Sequence, residues 1–184
     1  MPKSLAMDVV VPDEFKYLYE KTPERPVVKV PDPVLRATAQ EVERVGKSTN
    51  LLIDNMLRIM KMAHGIGLAA PQVGVLQRVV VVATADLKPT AFVNPEIISA
   101  EGEVVWQEGC LSIPGLYGDV KRAEFLKVEA MDRKGDFYEW ELEGMPARVM
   151  QHEIDHLDGV LFIDKVDLAT LHWAHPEHEL TKAE

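Results

Sequence analysis

The sequence predicts an α+β fold, with a mainly antiparallel sheet packed around a central metal-binding helix that carries H-E-x-x-H. Three observations lead there. Short apolar segments of strand length run together through the middle of the chain, with no helices interleaved as a parallel sheet needs. One amphipathic helix precedes that block and a second follows it. His152-Glu153-Ile154-Asp155-His156 falls within the second helix.

Residues 1–26 read as an extension punctuated by Pro2, Pro12, Pro23 and Pro26, with room for a short helix over 14–20. An apolar run over 27–30 leads into the turn Pro31-Asp32-Pro33, where Asp32 can cap a helical turn begun by Pro33. Ser48 or Thr49 can cap the first clear helix. Its stripe of Leu52, Met56, Ile59, Met60 and Ala63 is plain core, and Gly65 and Gly67 end it. Strands are predicted over 79–84, 92–93, 96–100 and 103–106, broken by Asn94-Pro95 and Glu101-Gly102. A hairpin follows over 126–131 and 137–142. The second helix spans 144–157, with Pro146 in its first turn and Gly159 at its C-terminal cap.

The chain has 184 residues, 47% of them hydrophobic, which suits one compact domain with a sizeable core. Thirty acidic side chains outnumber 20 basic ones, for a formal net charge of −10. That balance excludes non-specific nucleic-acid binding and an anionic membrane surface as partner, because both need clustered Lys and Arg. One cysteine, Cys110, excludes an internal disulfide framework. No apolar stretch approaches the roughly 18 residues of a membrane span. Asp8, Asp13 and Glu14 interrupt any secretory leader. The expected site of action is the cytoplasm of a bacterium, with an organelle interior as the lesser alternative.

The H-E-x-x-H carries the chemistry. Residues four apart share a helical face, so two imidazoles can hold one ion while Glu153 handles a proton beside it. A third ligand decides the class. The extended zinc-protease pattern requires a histidine where Phe162 stands, and Phe162 cannot bind metal. Downstream, Glu177, Glu179 and Glu184 lie in a polar tail with His172, His175 and His178 that reads as solvated. The other candidate is Cys110 in Glu108-Gly109-Cys110-Leu111-Ser112. It follows Gly109 at a strand end, where backbone can approach a ligand closely. A thiolate with two imidazoles leaves a fourth position open, as a catalytic site needs.

Gly65-Ile66-Gly67-Leu68-Ala69-Ala70-Pro71-Gln72 fails the dinucleotide spacing and lies in the wrong context for phosphate. It reads either as a flat backbone edge that can pair with a bound peptide, with Gln72 aimed across it, or as a simple helix-terminating loop.

These three segments, with Gln151 opening the third, resemble the peptide deformylase family in order and separation, from about residue 27 to residue 164. The resemblance implies that Cys110, His152 and His156 bind one divalent metal ion. Iron(II) is the family's usual ion, with zinc, nickel or cobalt as substitutes. It implies that Glu153 is the acid/base, and that the Gln72 side chain and the Leu111 backbone N–H bind the oxyanion. The implied substrate is the N-formyl-methionyl end of a nascent peptide, and formate is released. The edge at Gly65, Ile66 and Gly67 would take the peptide. Ile66, Met145 and Val149 would wall the methionine pocket, with Gly109 at its rim. Tyr117 stands where many bacterial members place an arginine against the peptide, which removes a charged contact.

The resemblance divides the chain into an N-terminal extension (1–26), a catalytic domain (27–165) and an acidic C-terminal tail (166–184). Some members dock on the ribosome through a basic terminal helix. The acidic tail leaves ribosome contact open but not by that route. The alternative enzyme is an H-E-x-x-H metalloprotease cleaving ordinary peptide bonds, and the non-enzyme alternative is a binding module with a closed structural metal site. Arg122 is expected to pair with Glu108 or Asp155 and so fix the Cys110 loop.

Overall fold

The computed structural model describes residues 8–176. Two antiparallel sheets carry the molecule. The larger has five strands: β1 (Gly67–Ala69), β2 (Val79–Val82), β3 (Thr90–Glu101), β6 (Phe125–Met131) and β7 (Phe137–Glu143), ordered β1-β2-β3-β6-β7. The smaller joins β4 (Val104–Cys110), β5 (Ile113–Arg122) and β8 (His172–Trp173) in the order β4-β5-β8. The helices are α1 (Lys47–Met62) and α2 (Met145–Leu157).

The four valines of β2 show how the layers form. All are fully buried. Val80 and Val82 join the core built with α2 residues Ala147, Val149, Met150, Ile154 and Leu157. Val79 and Val81 face the other way, into the core built with α1 residues Ile53, Met56, Ile59 and Met60. Alternation along the strand therefore feeds two helices on opposite faces, and a continuous apolar run results. A third core gathers Leu35, Ile113, Leu116, Val120, Phe162 and Val166 beside Cys110.

Glycine geometry bounds α2 as expected. Pro146 sits in the first turn, and Gly159 follows the cap at φ 72°. A Cβ on Gly159 would also lie 2.5 Å from the Arg36 carbonyl oxygen.

Several local expectations need correction. Helix α1 starts after Gly46, with no side-chain cap from Ser48 or Thr49; Ile53 is fully buried in the core, and Leu52 packs against it partly buried. It stops at Met62, before the glycines, with His64 at φ 53°. Asn94-Pro95 does not break the sheet. Asn94 takes φ 51°, its side chain bonds both ways with the Val42 backbone, and the register shift becomes a bulge inside one 12-residue strand. Strand β5 was not predicted at all.

The extension and the tail, read as flanking the domain, pack onto it and onto each other. A short 3-10 helix over Asp13–Tyr19 buries Phe15. Phe15 stacks on His175 at 4.6 Å and leans on Trp173 at 5.1 Å between ring centroids. Val166 lies in the third core. The solvated-tail reading therefore fails at Val166, Trp173 and His175 and holds at the exposed His172, while His178, Glu177, Glu179 and Glu184 lie outside the described residues. Among the described residues no helix is long and apolar enough to cross a membrane.

Candidate metal centre

Helix α2 presents His152 and His156 one turn apart, and the β4–β5 ribbon brings Cys110 to the same point. Pairing slips between Glu108 and Cys110, which sets Cys110 opposite Ile113 with Leu111 and Ser112 in the turn. The three donor atoms lie within 4.8 Å of one another, with Cys110 Sγ 3.3 Å from His156 Nε2. His152 Nδ1 and Glu108 Oε2 are 2.9 Å apart, which fixes the ring and leaves Nε2 for the site. One sulfur and two imidazole nitrogens at this spacing suit a late first-row divalent ion and leave room for a further ligand.

Gln72 is buried, and its geometry corrects the expectation of an amide aimed across an open edge. The Ala69 N–H donates to its Oε1 at 2.9 Å, which sets the amide's orientation. Its Nε2 then donates to Ser112 Oγ at 3.2 Å and approaches Cys110 Sγ at 3.7 Å. The Ser112 N–H lies 3.4 Å from the same sulfur. The amide is thus locked against the Cys110 loop. The chain just before the first helical turn is tied there too, as Val28 N–H donates to the Gln72 carbonyl and Val30 N–H to the Ser112 carbonyl.

Glu153 is 3% exposed, and its Oε2 has no hydrogen-bond partner among the described residues. Burial pushes its carboxyl up to about 7. A carboxyl there exchanges protons near neutrality. Burial opposes the charged form of both imidazoles. At His152, bonds to Cys110 and Glu108 outweigh it and hold the ring well above its ordinary value. At His156, burial and positive neighbours leave it well below.

Behind the donors lies a buried charge network. Glu108 accepts from Arg122 at 2.7 and 3.0 Å and from Arg148 at 2.6 Å. Arg122 also donates to Asp155 at 2.7 Å, and Lys165 reaches the other oxygen of Asp155 at 2.8 Å. Arg122 therefore pairs with both carboxylates that the sequence offered it. Burial alone would raise the Glu108 carboxyl, but the bonds from His152 and Arg122 hold it far below the usual range. Arg148 was missed. It donates to Glu108 and to the carbonyls of Val120 and Val104, and it stacks over Trp106 at 5.3 Å. Its spacing was the available signal, since it precedes His152 by four and shares that helical face.

The remaining candidates fall into small groups. Gly67 lies so close to α2 that a Cβ there would meet Val149 Cγ1 at 2.5 Å and overlap the Glu153 carboxylate. Gly65 is covered by Leu111, whose Cδ1 would sit 2.7 Å from such a Cβ. Gly109 is covered by the Tyr117 ring at 2.6 Å on the same measure. Ile66 is 46% exposed at the rim. Met145, at the start of α2, opens onto a groove of about 740 Å³ with Trp106, Trp140, Leu87 and Pro146. That groove does not contain the metal donors.

The polypeptide deformylase family model matches residues 24–171. A peptide deformylase of Alkalilimnicola ehrlichii is 52% identical over 141 residues, spanning 75% of this chain and 79% of the relative. One of Halothermothrix orenii is 50% identical over 139 residues, 75% of this chain and 90% of the relative. Among solved structures, a Legionella pneumophila peptide deformylase superposes with TM-score 0.74 at 43% identity, covering 78% of this chain and 86% of that one. A Synechococcus elongatus peptide deformylase in complex with actinonin gives TM-score 0.76 at 40% identity, over 81% and 84%.

Proposed function

The chain belongs to the polypeptide deformylase family, and on that premise we propose that Cys110, His152 and His156 are its metal ligands and Glu153 its acid/base. The activity is metal-dependent hydrolysis that removes the N-formyl group from nascent peptides. The observation that carries the residue assignment is the convergence of three donors within 4.8 Å beside a buried carboxylate whose second oxygen is unpartnered.

Cys110, His152 and His156 would hold a divalent ion, which would supply Lewis acidity to the water and to the formyl group. Glu153 takes the proton of the attacking water and returns it to the leaving amine. Gln72 Nε2 and the Leu111 N–H hold the negative oxygen, and the Ala69–Gln72 bond keeps the amide preorganised. Glu108, locked by Arg122 and Arg148, holds the His152 ring in place. The peptide runs along the Gly65–Ile66–Gly67 edge, with Ile66, Val149 and Met145 around its methionine, Gly109 at the rim of that pocket and Tyr117 against the peptide.

Iron(II) is the proposed native ion, with zinc, nickel and cobalt as substitutes. The proposed place of action is the bacterial cytoplasm, on formyl-methionyl nascent chains, without nucleic-acid or membrane binding and without a basic helix for the ribosome. The protease alternative is not favoured: Phe162 is 1% exposed and stacks on His152 at 6.4 Å, so that position supplies packing instead of a ligand.

Metal analysis and formate release from formyl-Met-Ala-Ser, on protein purified without oxygen, test the reading. One equivalent of metal, turnover of the formyl peptide and none of its acetyl analogue are expected. Full metal occupancy in Cys110→Ala overturns the ligand set. Aeration should inactivate the iron form and spare the nickel form, with oxygen located at Cys110 by peptide mapping. An iron form stable in air counts against iron.

A further inference from the structure

We propose that the N-terminal extension and the C-terminal strand form a clasp that positions the peptide-binding side of the site, with Phe15, Trp173 and His175 acting as positioning residues through Tyr117. This deepens the deformylase reading and rests on it.

The clasp closes on one short segment, Pro114 to Tyr117, which begins two residues after the Cys110 turn. Every residue of that segment is held by the extension or the tail. Tyr19 donates its hydroxyl to the Pro114 carbonyl at 3.1 Å. Gly115, at φ 86°, gives its face to Phe15, and a Cβ there would lie 2.8 Å from Phe15 Cδ1. The Ala174 N–H donates to the Gly115 carbonyl at 2.8 Å. Leu116 pairs with Trp173, and Tyr117 with His172, in the β5–β8 register. The Tyr117 and His172 rings stand 6.2 Å apart.

Extension and tail hold each other. Phe15 is 2% exposed between Trp173 and His175. Tyr17 Oη lies 3.3 Å from His175 Nδ1, and Arg25 stacks over Tyr17. A strand of two residues has too few ladder bonds to stay docked alone, so the aromatic contacts of Phe15 supply what β8 lacks.

The far end of the clasp is Tyr117. Its ring lies against Gly109, the residue next to Cys110, so close that no side chain fits between them. On the proposed peptide path Tyr117 meets the chain beyond methionine, and Gly109, against which its ring lies, directly precedes the donor Cys110. Loosening the clasp therefore leaves the reacting end untouched and disturbs the walls that receive the next residues.

The test compares full-length wild type, Phe15→Leu, Trp173→Leu, Tyr117→Ala and the double variant Phe15→Leu/Tyr117→Ala on two substrates. On the proposed path formyl-methionine amide is too short to reach Tyr117, whereas formyl-Met-Ala-Ser reaches it. For Phe15→Leu and Trp173→Leu, KM for the tripeptide should rise roughly fivefold at unchanged kcat, because only peptide binding is weakened. Both parameters for the amide and the metal content should stay at wild-type values. The double variant should match Tyr117→Ala alone on the tripeptide, because Phe15 acts through Tyr117. Equal losses on both substrates, or no change on either, overturn the clasp, as do additive effects in the double variant. Trp173→Leu carries the test from the tail side if Phe15→Leu does not fold. A wild type inactive on both substrates instead overturns the deformylase reading beneath it.

Discussion

The two long helices pack on opposite faces of the same sheet and are built by different rules. Helix α1 buries five of its 16 residues, Thr49, Ile53, Met56, Ile59 and Met60, along one stripe, and leaves its remaining faces to solvent or partial cover. Helix α2 buries nine of its 13, and Arg148, Glu153 and His156 are among them. Apolar burial is non-directional, so α1 tolerates exchange of one well-packed side chain for another of similar volume. A buried ion or imidazole is directional and costly unless its partners are in place. The difference teaches that α1 contributes stability, whereas α2 gives up stability to bury charged and imidazole groups, and that its partners Glu108 and Arg122 come from strands far away in sequence.

Removing a proposed donor should give the largest effect. Cys110→Ala leaves two protein ligands, so metal and formate release should both disappear while far-UV circular dichroism stays close to wild type. Glu153→Gln comes next. It should keep the metal and lower kcat by roughly 10²–10⁴-fold, because the amide retains shape and cannot accept the proton. The same change removes a buried, unpartnered carboxylate oxygen, so denaturant unfolding should show stability kept or raised. A large loss of stability would mean that Glu153 is structural.

Third is the charge network. Glu108→Ala takes from Arg122 and Arg148 the buried carboxylate they share and should cost about 4 kcal/mol in urea unfolding. The network also fixes the sign of the pH dependence. The folded Glu108 carboxyl lies below its unfolded value, so its contribution is present above that unfolded value of about 4.3 and fades as acid approaches the folded one. Glu108→Gln should accordingly flatten the acid limb of the stability curve. An unchanged acid limb would mean that the carboxylate adds nothing to stability.

The contrast with α1 is sharpened by Ile53→Ala. It opens a cavity in a fully buried site and should cost about 3 kcal/mol, with kcat per folded molecule unchanged. A fall in kcat would show that the α1 side of the sheet also tunes the site. The smallest effect belongs to Arg133→Ala, which removes an exposed pair with Asp54 on α1 and should change stability by less than about 1 kcal/mol.

Much of the local structure was legible in the sequence, for reasons that act locally. Pro146 and Gly159 bound α2 because one lacks a backbone donor that the first turn does not need, and the other accepts a positive φ at the end. The hairpin joining β6 and β7 was legible from alternation around a turn. Cys110, His152 and His156, which the fold brings together, stood out in the sequence because a helical repeat and a glycine-flanked cysteine mark possible metal ligands within a few residues.

Other features depended on pairing across the fold. Strand β5 hides behind Pro114, Gly115 and Gly118, which read as breakers. Pro114 shares its carbonyl with Tyr19, and Gly115 and Gly118 have no side chain because Phe15 and Val166 occupy that space. Arg148 carried no assignment from the sequence, because its partners, the carbonyls of Val104 and Val120 and the carboxylate of Glu108, lie 28 to 44 positions away.

By itself the sequence determined the ends of α2, the hairpin and the types of side chain at the candidate site, because these follow from backbone geometry and chemistry within a few residues. Tertiary structure alone decided which faces are buried, where Gln72 points, how the charges behind His152 are satisfied, and that the short helix of the extension and strand β8 meet on β5. Those outcomes depend on contacts between residues separated by tens of positions, and no local pattern encodes which distant partner arrives.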